Sequence, residues 1–462
     1  MNAKELREKL VYNKKSVYQK TDENTVSAAY DYAKGYAAFL NSAKTEREAV
    51  AVSVEMATKK GFVPYKMGDP LVQGGKYYYN NRDKSLYLFV IGKRPSEEGI
   101  RINAAHIDAP RIDLKQCPLY EEGGMSFFKT HYYGGIRKYQ WVATPLALHG
   151  VIVKKNGERV TVSVGESEDD PVFYINDLLP HLGHETDKKP LGEAIPGEKL
   201  NILVGSRPFD ASDDSDNIKL NTLYLLHEKY GITEDDFLSA ELSVVPAFKA
   251  RDIGFDRSMI GAYGHDDRVC AYPALTTILS QDEPQNTQLC VLADKEETGS
   301  DGNTGIKSAI LPDLIGEISR AMGGDPAVVR ANSRCLSADV SAAFDPNFAD
   351  AFEKRNTPLL SCGVILTKYT GSRGKSSTND ASAEYVGWLR GVMENAGVIW
   401  QAGELGKVDG GGGGTVAKYV AGLNIETVDL GVPVISMHAP YEVISKVDLY
   451  QAYLAFLAFS RA

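Results

Sequence analysis

The feature that most limits what this chain can fold into is a series of short apolar runs, at 86–91, 100–105, 288–293, 359–366, 397–400 and 432–437. Runs this short, bounded by charge or glycine and lacking polar alternation, suit strands buried on both faces. Helical patterns fall between several of them, including 380–396. Thr45 followed by Glu48 forms a capping box, and Ala49, Val52 and Met56 then repeat at helical spacing until Gly61 ends the pattern. This alternation predicts an α/β layer architecture around a central sheet.

The middle of the chain follows another grammar. Residues 150–164 hold two alternating segments around Asn156-Gly157, which predicts a β-hairpin. Polar and acidic stretches at 166–171 and 207–216 surround it, and 244–253 leads back to the α/β pattern. The expectation is an α/β body formed by 1–115 and 253–462, with a β-rich domain inserted at 116–252. A length of 462 residues accommodates about three domain-sized units or one large core with an insertion.

Composition excludes several function classes. With 43% hydrophobic and 24% charged residues the chain is an ordinary globular one, which rules out disorder and fibrous structure. Lys and Arg number 51 against 61 Asp and Glu, a net charge of −10, and such an anion is a poor counterion for phosphate backbones. Nucleic acid is therefore not an expected partner. Residues 1–15 are charged throughout and lack the apolar run of a signal peptide, and no stretch reaches the roughly 18 apolar residues of a membrane span. A cytoplasmic protein is expected. Cys117, Cys270, Cys290, Cys335 and Cys362 form no CxxC pair and are odd in number, which argues against a disulfide framework or a thiolate zinc site. They read as small buried hydrophobes.

The chemistry gathers where the apolar runs end. His106-Ile107-Asp108 follows a predicted strand, so imidazole and carboxylate share a face, and the acid can fix the ring's tautomer for metal binding. Asp266-Asp267-Arg268 precedes a helix beginning near Val269. There one acid serves as N-cap or ion-pair partner, or a carboxylate bridges two metal ions. Glu296-Glu297 emerges after 289–293, where neighbouring residues point opposite ways, so one can ligate while the other accepts a proton. Asp339 and His438 end further runs. Each alone reads as a turn residue, a solvated acid or a hydrogen-bonded histidine. Together they supply the hard oxygen and nitrogen donors that suit two divalent metals sharing a carboxylate, and zinc without cysteine fits the set.

In that order, His106, Asp108, Asp266, Glu296, Glu297, Asp339 and His438 resemble the M18 metallo-aminopeptidases, whose best-known members are the aspartyl aminopeptidases. The order is shared with other two-zinc exopeptidases. Tyr133-Gly134-Gly135-Ile136, the hairpin at 151–164 and the glycine-rich 410–414 ending in Gly414-Thr415 narrow the match, which covers nearly the whole chain. The resemblance implies a two-zinc exopeptidase domain with a central mixed sheet flanked by helices, and an inserted β-rich dimerisation domain. It makes His106 and Asp339 ligands of one zinc, Glu297 and His438 ligands of the other, Asp266 the bridge, Glu296 the general base and Asp108 the acid orienting His106.

It further implies peptide substrates with a free amino terminus and a homo-oligomer, a dodecamer built from dimers. In the family a histidine of the insert enters the neighbouring subunit's site; His181 is the candidate, with His184 close by. After His438 the chain reads Ala-Pro-Tyr-Glu, whereas the aspartyl enzymes place Ser and then Arg-Glu shortly after the histidine, so the ligand is kept and the substrate pocket differs. Arg373 and Lys375 remain available to an acidic amino-terminal residue. The rival readings are another two-zinc hydrolase, a carboxypeptidase or deacylase, and a metal-stabilised scaffold without catalysis.

Overall fold

The computed structural model describes residues 1–12, 14–212 and 216–462, so Asn13 and part of the acidic stretch at 207–216 lie outside the described residues. One strand shows how the body is layered. In Ser85–Val90, Leu86, Leu88 and Val90 enter one apolar core while Tyr87 and Phe89 enter another on the opposite face. Period-two side-chain alternation therefore divides the strand between two interiors. Helices Glu23–Ser42, Glu46–Lys59, His265–Leu279 and Lys446–Arg461 cover the first face. Ile310–Ala321 covers the second with Leu311, Leu314, Ile315 and Ile318. Burying a Leu or Phe side chain in this way stabilises by about 1.5–3 kcal/mol.

Among the described residues the strands form a nine-stranded, a seven-stranded and a five-stranded sheet. The nine-stranded sheet is mixed. Its centre is four adjacent parallel strands, Gln288–Ala293, Arg101–His106, Arg334–Ser337 and Glu426–Gly431, with antiparallel neighbours Ser85–Val90 and Val364–Thr367 on either side. The run at 359–366 is a strand only from Val364, because Leu359 and Ser361 give their N–H groups to the side chains of Gln401 and Asp448 instead of to a ladder.

The seven-stranded sheet is antiparallel throughout and lies between residues 111 and 246, inserted in the α/β body. Its strand Arg111–Glu122 runs across the 115/116 boundary expected from sequence. The hairpin forms from Leu146–Val153 and Arg159–Val164, closed by Gly157 in a left-handed conformation that L side chains rarely adopt. Cys117 is exposed on this sheet, contrary to the expectation that all the cysteines are buried; it lies between Leu114 and Leu119, where the pairing with Met125–Tyr133 breaks register and Gln116 beside it is exposed too, whereas Cys270, Cys290, Cys335 and Cys362 pack inside the body.

Charge joins insert and body. The Thr45 capping box forms as expected, and Glu48 then accepts a hydrogen bond from His149 of the insert at 2.7 Å. The other nitrogen of His149 donates to Glu166 at 3.1 Å, and Lys44 and Lys249 also reach Glu166. Burial works against the Glu166 charge, but His149, Lys249 and Lys44 overcome it and hold its carboxyl down at about 2.

Candidate metal centre

The four parallel strands deliver their side chains to one end, as open α/β sheets do. His106 closes Arg101–His106 directly opposite Ala293, which leads into Glu296 and Glu297, and Asp339 follows Arg334–Ser337. His438 enters through the five-stranded sheet, just after Pro433–Ile435. Asp266 lies at the start of His265–Leu279, in non-helical conformation. It is not a cap, and Arg268 is not its ion partner: that guanidinium is buried and donates to the carbonyls of Ile107 and Lys44.

Asp266 spans the cluster. Its Oδ1 lies 3.1 Å from His106 Nε2 and its Oδ2 3.1 Å from His438 Nε2. Asp339 approaches His106 Nε2 at 3.8 Å, and Glu297 approaches His438 Nε2 at 3.5 Å. Two overlapping groups have ligand atoms within 4.8 Å of one another: His106, Glu296 and Asp339, and His106, Asp266 and Glu297. His106 directs Nδ1 to the Asp108 carbonyl at 3.0 Å, with Asp108 Oδ1 at 3.3 Å. His438 directs Nδ1 to the Gly135 carbonyl at 2.8 Å.

These contacts decide what fits. A neutral imidazole has one N–H, and each ring spends it on a carbonyl. In that neutral form each Nε2 lone pair faces carboxylate oxygens, as a metal ligand would. Without an ion, burial disfavours charge on the rings, but the same acids overcome it and hold both protonated, raising His438 to about 10. Glu297 Oε1 is buried without a hydrogen-bond partner. Burial, and then Asp339 beside it, pushes the Glu296 carboxyl up to about 8, and burial with Asp266 nearby raises Glu297 well above its usual range. Divalent cations relieve this crowding, and an oxygen and imidazole donor set suits zinc.

A cavity of about 500 Å³ opens over the cluster, with Lys418, Tyr419, Thr415 and Met437 among its walls. The glycine run forms part of that wall. A Cβ at Gly412 would come 1.8 Å from the Gly371 carbonyl oxygen, so the run packs against the neighbouring loop. Lys375 and Arg373 line a separate small cavity, and Lys375 pairs with Asp380 at 2.9 Å. His181 and His184 are exposed on the insert and do not line the central cavity.

Glu442 is a structural partner that residue patterns did not reveal. Its two carboxylate oxygens accept the backbone N–H groups of His438 and Asp266, at 2.7 and 3.1 Å. Its position four residues after His438 was the available signal. Asp267, read with Asp266 as one acidic pair, is fully buried beside it with neither carboxylate oxygen hydrogen-bonded.

A mixed α/β sheet with a buried cage of imidazoles and carboxylates at its carboxyl edge has the makings of a metal-binding site. The model of the Aminopeptidase I zinc metalloprotease (M18) family matches residues 39–460. A probable M18 family aminopeptidase 1 of Clostridium acetobutylicum is 46% identical over 453 residues, 96% of this chain and 97% of that protein. The crystal structure of an M18 aminopeptidase from Thermotoga maritima superposes with a TM-score of 0.93 at 41% identity, covering 97% of this chain and 99% of that one. The mApe1 dodecamer of S. cerevisiae shares the fold, with a TM-score of 0.76 at 21% identity over 93% of this chain and 96% of that one. The chain belongs to the M18 family of zinc aminopeptidases. Among its described residues no helix is long and apolar enough to cross a membrane.

Proposed function

We propose that this aminopeptidase removes the amino-terminal residue of peptides at a two-zinc centre, with His106 and Asp339 holding one ion, Glu297 and His438 the other, and Asp266 shared. The observation that carries this reading is the pair of imidazoles whose N–H groups are spent on carbonyls while both Nε2 atoms face Asp266. Bound ions supply Lewis acidity and lower the pKa of the attacking water. Glu296, at the cavity floor, takes the water's proton and returns it to the leaving nitrogen. Asp108 orients His106, and the surrounding carboxylates anchor the substrate's α-ammonium.

Replacing Glu296 with Gln is expected to lower kcat by about 10²–10⁴-fold, the usual contribution of a general base, with both zinc ions retained. Turnover that survives the change removes Glu296 from this role. Peptides with free amino termini are cleaved and blocked ones are not; the reverse pattern favours a deacylase or carboxypeptidase.

Preference for an acidic amino-terminal residue is the finer part of the reading. Lys418 in the cavity wall supports it, while Lys375 is already paired. A panel of aminoacyl substrates decides, and equal rates on Asp and Leu substrates reject it. We place the enzyme in the cytoplasm and read 1–115 with 253–462 as the catalytic domain and 116–252 as the assembly domain. Leu178, Leu179 and Leu182, exposed on the insert at 50%, 48% and 67%, support a homo-oligomer of dimers reaching a dodecamer, with His181 offered to a neighbouring subunit. Light scattering of the purified protein measures this, and a monomer rejects it.

A further inference from the structure

The insert reaches the metal centre itself. Its strand Met125–Tyr133 ends with the Tyr133 hydroxyl donating to Asp108 Oδ2 at 2.8 Å. Asp108 also accepts the N–H groups of Glu296 and Glu297, each at 3.2 Å, so one carboxylate gathers the His106 ring, the glutamate turn and the insert. Further along, the Gly135 carbonyl accepts from His438. A single short segment therefore backs both candidate histidine ligands, from opposite ends of the cluster.

The local sequence is what close approach demands. Gly134 has φ +74°, and a Cβ there would lie 3.2 Å from Glu297 Cβ. At Gly135 a Cβ would lie 3.4 Å from His438 Nδ1. The Arg111 guanidinium lies 4.0 Å over the Tyr133 ring and is itself held by Glu46 of the body at 3.0 Å and by Asp113 at 2.8 Å. The tyrosine is thus fixed from its far side.

We propose that Tyr133 and the Gly135 carbonyl are positioning groups of the metal centre, so that the inserted sheet sets how tightly the ions are held. This deepens, and rests on, the reading of His106 and His438 as ligands. The Gly135 carbonyl fixes the His438 tautomer that leaves Nε2 bare, and Tyr133 keeps Asp108 aligned on His106. Losing such outer partners typically weakens metal binding by about 10–100-fold.

The test compares the wild-type protein with Tyr133→Phe, Gly134→Ala and, as a control on the same strand, Tyr132→Phe. Zinc affinity is measured by competition with a chromophoric chelator, geometry by the visible spectrum of the cobalt-substituted protein, and folding by thermal unfolding of the metal-free form. Tyr133→Phe is expected to weaken zinc binding by about 10–100-fold and to shift the cobalt spectrum, with unfolding of the metal-free form unchanged. Tyr132→Phe should match wild type. Gly134→Ala, strained at φ +74° and crowding Glu297 Cβ at 3.2 Å, should displace the Gly135 carbonyl, disturb the His438 site in the same way, and carry the test should Tyr133→Phe fail to fold. Wild-type affinity and spectrum in both variants, beside a wild type that binds two zinc ions, overturn this inference alone. A wild type that binds no zinc overturns it together with the ligand assignment.

Discussion

Strands at the centre of the nine-stranded sheet and two strands of the inserted sheet differ in how many faces they bury. Ser85–Val90, Arg101–His106 and Gln288–Ala293 are buried at each position, whereas Met125–Tyr133 and Arg159–Val164 alternate between core and solvent. Two-sided burial commits the side chains along a strand to packing, so polar chemistry is pushed to the strand ends, where helices no longer cover the sheet. The insert exposes apolar or thiol groups where its strands end or break register, at Tyr132, Val153 and Cys117. The difference teaches where each sheet can do work: the first at its edge, the second across its surface and at the one strand tip that touches the body.

Metal removal should separate the two regions most sharply. A chelator is expected to abolish peptide hydrolysis at the edge of the central sheet, and zinc to restore it, with circular dichroism showing both sheets intact throughout; activity that persists without metal breaks the comparison. Next comes packing. Leu88→Ala, in a fully buried strand, should cost about 2–5 kcal/mol in denaturant unfolding, against about 0.5 kcal/mol or less for Val153→Ala on the insert's exposed side. Similar costs would show that the insert is as tightly two-sided as the body.

The charged junction between the regions gives a smaller effect with a defined pH dependence. Glu166, held at about 2 against an ordinary 4.5, contributes stability that is present above 4.5 and lost as pH falls toward 2. His149 is buried, which alone would lower its pKa, but Glu166 and Glu48 raise it above its ordinary 6.5. Its contribution is full below 6.5 and is lost as pH rises through the raised value. The junction is therefore strongest between about 4.5 and 6.5. His149→Gln should cost about 1.5–3 kcal/mol there, the range for hydrogen bonds to charged groups, and less once pH has risen through the raised value. A penalty that does not shrink with pH removes the charge from the argument. Smallest is Thr45→Ala, which loses the cap of the helix facing this junction and should cost about 1 kcal/mol in thermal unfolding.

Local patterns carried much of this architecture. The capping box at Thr45 and the hairpin at 150–164 depend on residues a few positions apart, and the buried strands announced themselves as apolar runs. Strand-end position also singled out the residues that the fold gathers around Asp266. What stayed hidden depends on distant chain. Glu442 holds the backbone of Asp266, 176 residues away, and Gly135, although part of a motif, meets His438 across 303 residues, contacts that no local pattern announces. The first part of the 359–366 run failed as a strand for the same reason, since Asp448 claims its backbone.

The proposed ligand cage draws on residues from His106 to His438, carried by neighbouring strands of the central sheet, a helix start and the five-stranded sheet. No partial chain contains the set. With that ligand set, the nascent polypeptide on the ribosome is expected to stay inert until the segment bearing His438 has been made and has docked beside strands laid down hundreds of residues earlier.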